Sequence, residues 1–276
     1  MSASRLPDFV VIGAARSGTT TVARYLAGHP DIFLAVEKEV HFFDEDDKFD
    51  LGETWYSSQF SDARQDQIVG EATPAYMMVE PSAERMAGLI PDARLVAILR
   101  NPVDRAYSLY WFTRAWGHEN RDPGVALRSA MDAEGPSDPP PGAYLGSYVT
   151  QLERFTHFYP RSALLTVLFE DFSADPVGIA GRVCGFIGAD ESRLPRNLGR
   201  FKNETRQIRS LPLHHGLTRV KKYAPRLVER AQVLNSKPLD YPRIDPQLRA
   251  ELVEYFRPHN ARLAEWLGVD LSRWNA

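Results

Sequence analysis

The sequence predicts an α/β fold, a central parallel β-sheet flanked by helices on both faces, and three observations carry that expectation. Strand-like and helix-like patterns alternate along nearly the whole chain. The run Arg94-Leu95-Val96-Ala97-Ile98-Leu99-Arg100 is aliphatic throughout its interior, as suits a strand covered on both sides. Near the start, Phe9-Val10-Val11-Ile12 runs into a turn bounded by Gly13 and Gly18, and Thr19-Thr20-Thr21 then opens a helical pattern.

In chain order, Thr19 to Ala27 carries Val22, Ala23, Leu26 and Ala27 at helical spacing, and Gly28-His29-Pro30 ends that helix. Ile32 to Val36 is a short apolar run, and the acidic stretch Asp44 to Asp50 reads as a solvated loop. Ile68 to Glu71 predicts a strand and Ser82 to Leu89 a short helix. After the Arg94–Arg100 strand, Asn101-Pro102 opens a helix to about Trp116, with proline in the first turn, where its missing N–H does no harm. Glu134 to Gly142 is a stiff, proline-rich loop.

Ala143 to Tyr159 places Tyr144, Tyr148, Leu152 and Phe155 on one helical face, and Ala163 to Phe169 is a buried strand ending in Glu170-Asp171. Pro176 to Ile187 is a helix that turns Ala180, Val183, Cys184 and Ile187 inward, so Cys184 reads as core. Pro246 to Leu267 is helical, kinked or split at Pro258.

The 276 residues, 43% apolar and 25% charged, fit one domain over 1–276. A single cysteine excludes an internal disulfide and a cysteine-based zinc site. No apolar stretch is long enough to span a bilayer, which predicts a soluble, cytoplasmic protein. Its oligomeric state is open. The net charge of −3 argues against wholesale nucleic-acid binding, but the charge is uneven. Residues 193–226 hold ten lysines and arginines against one acid, Glu204, a local +9 that reads as an anion-binding cap or a basic exposed face. Only Phe201 and Tyr223 there could stack on bases, so nucleic acid is not the expected partner.

Three motifs carry chemistry. The Gly13–Thr20 loop is P-loop-like: unpaired N–H groups at the following helix start would face an anion. Against the pattern G-x-x-x-x-G-K-[ST], however, Thr19 replaces the lysine, and the cation in the loop is Arg16. Glu39-Val40-His41-Phe42-Phe43 sets a carboxylate and an imidazole two residues apart, on one side of an extended segment, as a proton-accepting pair. Taken alone, these read more simply as a surface glutamate and a structural histidine beside two core phenylalanines. Arg100, at a strand end, and Ser108, two turns into the next helix, can clamp a phosphate monoester. They could equally be a capping ion pair and a surface serine.

In that order, the motifs resemble those of the sulfotransferases that use 3′-phosphoadenosine-5′-phosphosulfate (PAPS), in the branch holding the heparan sulfate N- and 3-O-sulfotransferases and many bacterial relatives. The similarity extends through Glu71-Ala72-Thr73-Pro74-Ala75-Tyr76, Gly146-Ser147-Tyr148, Phe169-Glu170-Asp171 and Asp270-Leu271-Ser272-Arg273-Trp274. It implies the sulfotransferase fold, PAPS as donor, adenosine 3′,5′-bisphosphate as product, and no metal. It also implies that Arg16 with Ser17, Gly18, Thr19 and Thr20 holds the 5′-phosphosulfate, Arg100 and Ser108 the 3′-phosphate, and one of Arg200, Lys202 or Arg206 the covering loop. Glu39 would be the general base, with His41 assisting at the reacting centre.

Ala72 stands where the heparan sulfate 3-O-enzymes carry lysine, which argues against a heparan-like acceptor. A small glycoside, glycolipid precursor or secondary metabolite is expected instead, accepting through a hydroxyl or, less readily, an amine. Its pocket would be walled by Asp44 to Ser58, Tyr107 to Trp116 and the basic segment. The rival readings are a small-molecule P-loop kinase, which would need Mg²⁺ and ATP, and a non-catalytic module binding anions or acidic glycans.

Overall fold

The computed structural model describes residues 5–132 except 36 and 38, 145–195, 206–208 and 234–276, with 210, 212, 213, 216, 217, 228 and 231 between. Five strands, β1 (Phe9–Gly13), β2 (Ile32–Leu34), β3 (Ile68–Ala72), β4 (Arg94–Leu99) and β5 (Leu164–Leu168), form one parallel sheet in the order β2-β3-β1-β4-β5. The helices are α1 (Thr19–Ala27), α2 (Asp46–Phe49), α3 (Gly52–Ser58), α4 (Ser82–Leu89), α5 (Pro102–Ala115), α6 (Pro123–Asp132), α7 (Tyr148–Phe158), α8 (Phe169–Ala174), α9 (Pro176–Ile187) and a C-terminal helix, Pro246–Leu267. Two further strands, β6 (Arg206–Ile208) and β7 (Ser236–Pro238), pair antiparallel apart from the main sheet.

Side-chain alternation along the strands divides the core. Val10, Ile12, Leu95, Ala97 and Leu99 pack on one face with Met86 of α4 and Leu152 and Phe155 of α7. Phe9, Val11, Val96 and Ile98 pack on the other with Val22 and Leu26 of α1 and Val183 and Cys184 of α9. Each of the valines, leucines, isoleucines and phenylalanines among these, fully buried, contributes about 1.5–3 kcal/mol. Close strand packing also restricts residue size: a Cβ on Gly70 of β3 would stand 2.3 Å from the Phe9 ring of β1. A third cluster joins α5, α6 and the C-terminal helix through Val103, Tyr110, Leu127, Leu252 and Phe256.

The topology locates the functional end. From β1 the chain passes to β2 and β3 on one side, then crosses to β4 and β5 on the other, so the direction of winding reverses between β1 and β4. In open parallel sheets, ligands bind beyond the C-terminal strand ends at such a point. The loop after β1 holds Arg16, and the residue after β4 is Arg100.

Several sequence expectations change. Glu170 and Asp171 lie in the first turn of α8, where acids complement the helix dipole, rather than at a strand end. The C-terminal helix runs unsplit through Pro258. Part of the acidic run forms α2, with Glu45, Asp46, Asp47 and Asp50 exposed, but Asp44 is drawn inward. The helix expected from Ala143 starts at Tyr148, and residues 143 and 144 lie outside the described set. Neither α3 nor α6 is evident from the sequence; α3, with sequence GETWYSS, is made mostly of weak helix formers and is held by its buried Tyr56.

Candidate active site

The loop between β1 and α1 is shaped for an anion. Gly18 caps α1 in the left-handed region at φ 90°, and a Cβ there would meet the Phe169 ring at 3.0 Å. No side chain caps this helix, so the N–H groups of Thr19 and Thr20 in its first turn have neither a side-chain cap nor a carbonyl one turn back. Beside them the Ser17 hydroxyl is fully buried and has no hydrogen-bond partner among the described residues. A buried polar group next to an uncapped helix start fits an oxyanion of a bound donor.

Arg16, Arg100 and Ser108, apart in sequence, come together here. Arg16 Nε donates to Ser108 Oγ at 3.1 Å, and Arg100 Nη1 donates to the Arg16 carbonyl at 3.1 Å. Arg16 adopts φ 67°. Its guanidinium lies 5.0 Å from the Phe112 ring centre, and that of Arg100 lies 4.9 Å from Phe169. Burial lowers the Arg16 pKa; nearby Tyr241 opposes this and Arg100 adds to it. Two part-buried cations held close together are stabilised by an anion placed between them.

The backbone at Arg100 is locked from two sides. The Tyr148 hydroxyl donates to the Arg100 carbonyl at 2.9 Å and accepts from its N–H at 3.3 Å. Glu170 Oε1 accepts from the Asn101 N–H at 2.9 Å, and the Asn101 side chain caps α5 by accepting from Val103 N at 3.0 Å. Asp171 pairs with Arg273 at 2.8 Å, while the Trp274 carbonyl accepts from Asn101 Nδ2 at 3.5 Å. The acidic pair and the chain end thus brace the β4–α5 junction. Gly146-Ser147-Tyr148 and the closing Arg273-Trp274 carry no periodic signal for such a role.

Glu39 and His41 also come together, but not as residues of one strand. Glu39 sits in a bend and His41 is left-handed at φ 57°, so a turn makes the pair and strand alternation does not. Glu39 Oε2 lies 3.6 Å from His41 Nε2, while Asp44 Oδ2 lies 2.8 Å from Nδ1 and Glu45 Oε1 3.8 Å from it. Burial alone would lower the His41 pKa, but the hydrogen bond to Asp44, the Glu39 carboxylate facing Nε2 and the charges of Asp44 and Glu45 raise it to about 10. His41 is therefore an imidazolium at neutral pH, held between carboxylates.

The turn lies over the end of β3, the strand that pairs with β1, because the Thr73 hydroxyl just past β3 accepts from Val40 N at 2.9 Å. Of the expected pocket walls, Tyr107 and Tyr110 are instead core, while Trp111, Phe112 and Trp116 are half-buried. Trp111 stacks on Tyr241 with ring centres 5.7 Å apart, a neighbour of Arg16 that sequence reasoning missed. Arg200 and Lys202 lie outside the described residues, as does the side chain of Arg206, whose backbone belongs to β6.

Residues 6–258 match the family described as the sulfotransferase domain. Human heparan sulfate glucosamine 3-O-sulfotransferase 6 is 30% identical over 270 residues, covering 96% of this chain and 73% of its own. The bovine bifunctional heparan sulfate N-deacetylase/N-sulfotransferase 2 is 29% identical, covering 95% of this chain but 30% of its own. Among solved structures, a sulfotransferase from Alicyclobacillus acidocaldarius is 28% identical, covers 99% of this chain and 100% of its own, and superposes with a TM-score of 0.72. A family match across most of the chain, a relative 30% identical over nearly all of it, and a solved relative of the same extent agree: the chain belongs to the sulfotransferase domain family.

Proposed function

We propose that this sulfotransferase takes its sulfuryl group from PAPS and passes it to a hydroxyl, or secondarily an amine, of a small glycoside, glycolipid precursor or secondary metabolite. The observation that carries the reading is the meeting of Arg16, Arg100 and Ser108 beside the uncapped start of α1. When bound, the donor supplies an activated sulfuryl group and an anionic leaving group, adenosine 3′,5′-bisphosphate.

Arg16, the Ser17 hydroxyl and the N–H groups of Gly18, Thr19 and Thr20 hold the 5′ end and stabilise the negative charge that grows on the leaving oxygen, the Ser17 N–H being bonded to the Ala14 carbonyl. Arg100, by its planar fork, and Ser108 hold the 3′-phosphate. Arg200, Lys202 or Arg206 covers the nucleotide. Glu39 accepts the proton of the acceptor hydroxyl as the oxygen attacks in line. The His41 imidazolium keeps that carboxylate in place and offsets the charge gathering at the centre. Ala72 is buried and presents no cation to a polyanionic acceptor, which supports a small acceptor over a heparan-like chain. None of the described helices is long and apolar enough to cross a membrane.

Calorimetric titration tests the donor assignment. Adenosine 3′,5′-bisphosphate is expected to bind equally with Mg²⁺ or a chelator. Binding of ATP in preference, and only with Mg²⁺, would replace this reading with a kinase.

A further inference from the structure

Buried beside the Glu39–His41 turn is a further carboxylate. Glu71, at the end of β3, is 1% exposed. Its Oε1 accepts from the Tyr56 hydroxyl at 2.6 Å and the Tyr76 hydroxyl at 3.0 Å, and its Oε2 from the Thr73 hydroxyl at 2.6 Å. A carboxylate accepts only, so each of these hydroxyls spends its one proton on Glu71. The oxygens of Thr73 and Tyr76 are then obliged to act as acceptors toward anything else.

Both meet backbone donors of the turn. Thr73 Oγ1 accepts from Val40 N at 2.9 Å and from His41 N at 3.5 Å; the Tyr76 hydroxyl accepts from Phe42 N at 3.0 Å. The N–H groups on either side of His41 are therefore anchored to one carboxylate through two hydroxyls. The anchored residue is the one held in the left-handed region, where a non-glycine side chain needs outside support. Burial raises the Glu71 pKa, and the three hydroxyl bonds oppose that shift by favouring the ionised form.

We infer that Glu71 is a positioning residue of the sulfuryl-transfer site, which sets the polarity of two hydroxyl relays that hold the Glu39–His41 turn in shape; this rests on the reading of Glu39 as base. An amide at position 71 keeps the volume but donates a proton to one relay. That hydroxyl then loses the acceptor for its own proton and must take the amide N–H alongside the backbone N–H it already accepts, which weakens the relay. Thr73→Val removes the relay oxygen at constant shape, whereas Thr73→Ser keeps it.

The test compares Glu71→Gln, Thr73→Val and Thr73→Ser in the full chain by two readouts. One is the NMR titration of the His41 imidazole, which is faced by Glu39, Asp44 and Glu45, with Lys48 bonded to Glu45 and to the Val40 carbonyl. The other is kcat set beside the affinity for adenosine 3′,5′-bisphosphate. In Glu71→Gln and Thr73→Val, the His41 midpoint is expected to fall from about 10 toward its ordinary value. Their kcat is expected to drop about 10–100-fold, the scale of a misplacement near 1 Å, with bisphosphate affinity unchanged.

Thr73→Ser is expected to behave as wild type. A Thr73→Val variant with an unmoved His41 midpoint and normal kcat would overturn the inference, as would equal losses in the valine and serine variants. Should Glu71→Gln fail to fold, the Thr73 pair decides. If the wild type transfers no sulfuryl group, the functional reading fails, while the His41 titration still judges the relay separately.

Discussion

Replacing Arg100 with alanine separates recognition of a 3′-phosphate from recognition of a nucleotide in general. One arm of its fork, Nη1, is committed to the Arg16 carbonyl at 3.1 Å, and the plane stacks 4.9 Å from Phe169. The remaining donors are available to an oxyanion at the mouth between β1 and β4. A hydrogen bond to a charged group contributes about 1.5–3 kcal/mol, and its loss here is offset little by solvent, so a cost of about 2–3 kcal/mol, or roughly 30–150-fold in affinity, is expected. The lost bond to the Arg16 carbonyl loosens the loop for every ligand, a neutral-acceptor effect of about 1 kcal/mol, or about fivefold.

Calorimetry with adenosine 3′,5′-bisphosphate and with adenosine 5′-monophosphate distinguishes the two components. The first ligand should lose the larger factor and the second only the smaller one. Arg100→Lys should recover little of the difference, because a lysine has neither the fork nor the flat face. Equal losses for both nucleotides in Arg100→Ala would refute the assignment of Arg100 to the 3′-phosphate.

Three further outcomes follow from the same geometry. The His41 pKa is raised from 6.5 to about 10, so its charged interactions stabilise the fold fully below about pH 6.5 and are lost as pH rises toward 10. The difference in Tm between wild type and His41→Asn should therefore shrink across that window, and a constant difference would speak against the carboxylate cage. Asn101→Ala removes the cap of α5 and should cost about 1–2 kcal/mol in denaturant unfolding; a change below about 0.3 kcal/mol would show that Pro102 and Glu170 define the helix start without it. Cys184 is fully buried, and burial raises its pKa to about 11, so a thiol reagent should label it only at the rate of unfolding. Fast labelling of the native chain would contradict its place in the core.

The layered sheet was legible because its signals are local. Leu95 to Leu99 announces a doubly covered strand, and Pro102 and Pro176 mark helix starts where the structure has them. The candidate loop was legible for the same reason, since Gly13 and Gly18 bracket Arg16 within six positions. The Glu39–His41 pair was found by an argument from strand alternation that the structure does not obey; a left-handed His41 brings the two side chains together instead.

Other parts depend on partners remote in sequence. Glu71 gives no sign in the sequence that it accepts from Tyr56, Thr73 and Tyr76, and Glu170 none that it holds the Asn101 N–H. Tyr241 stacks on Trp111 from beyond the basic segment and acts electrostatically on Arg16, a placement that no periodicity encodes. Helix α3 escaped because packing of Tyr56 outweighs the poor helix propensity of its neighbours.

The central claim is that the chain moves a sulfuryl group with Glu39 as base, and transfer of radiolabelled sulfur from PAPS to a panel of small hydroxyl acceptors tests it most directly. Wild type is expected to label at least one acceptor in the presence of a chelator. Glu39→Gln should bind adenosine 3′,5′-bisphosphate as tightly as wild type yet lose roughly 10²–10⁴-fold in turnover, the usual contribution of a general base. Undiminished transfer by Glu39→Gln, or label transfer that stops when Mg²⁺ is removed, would contradict it.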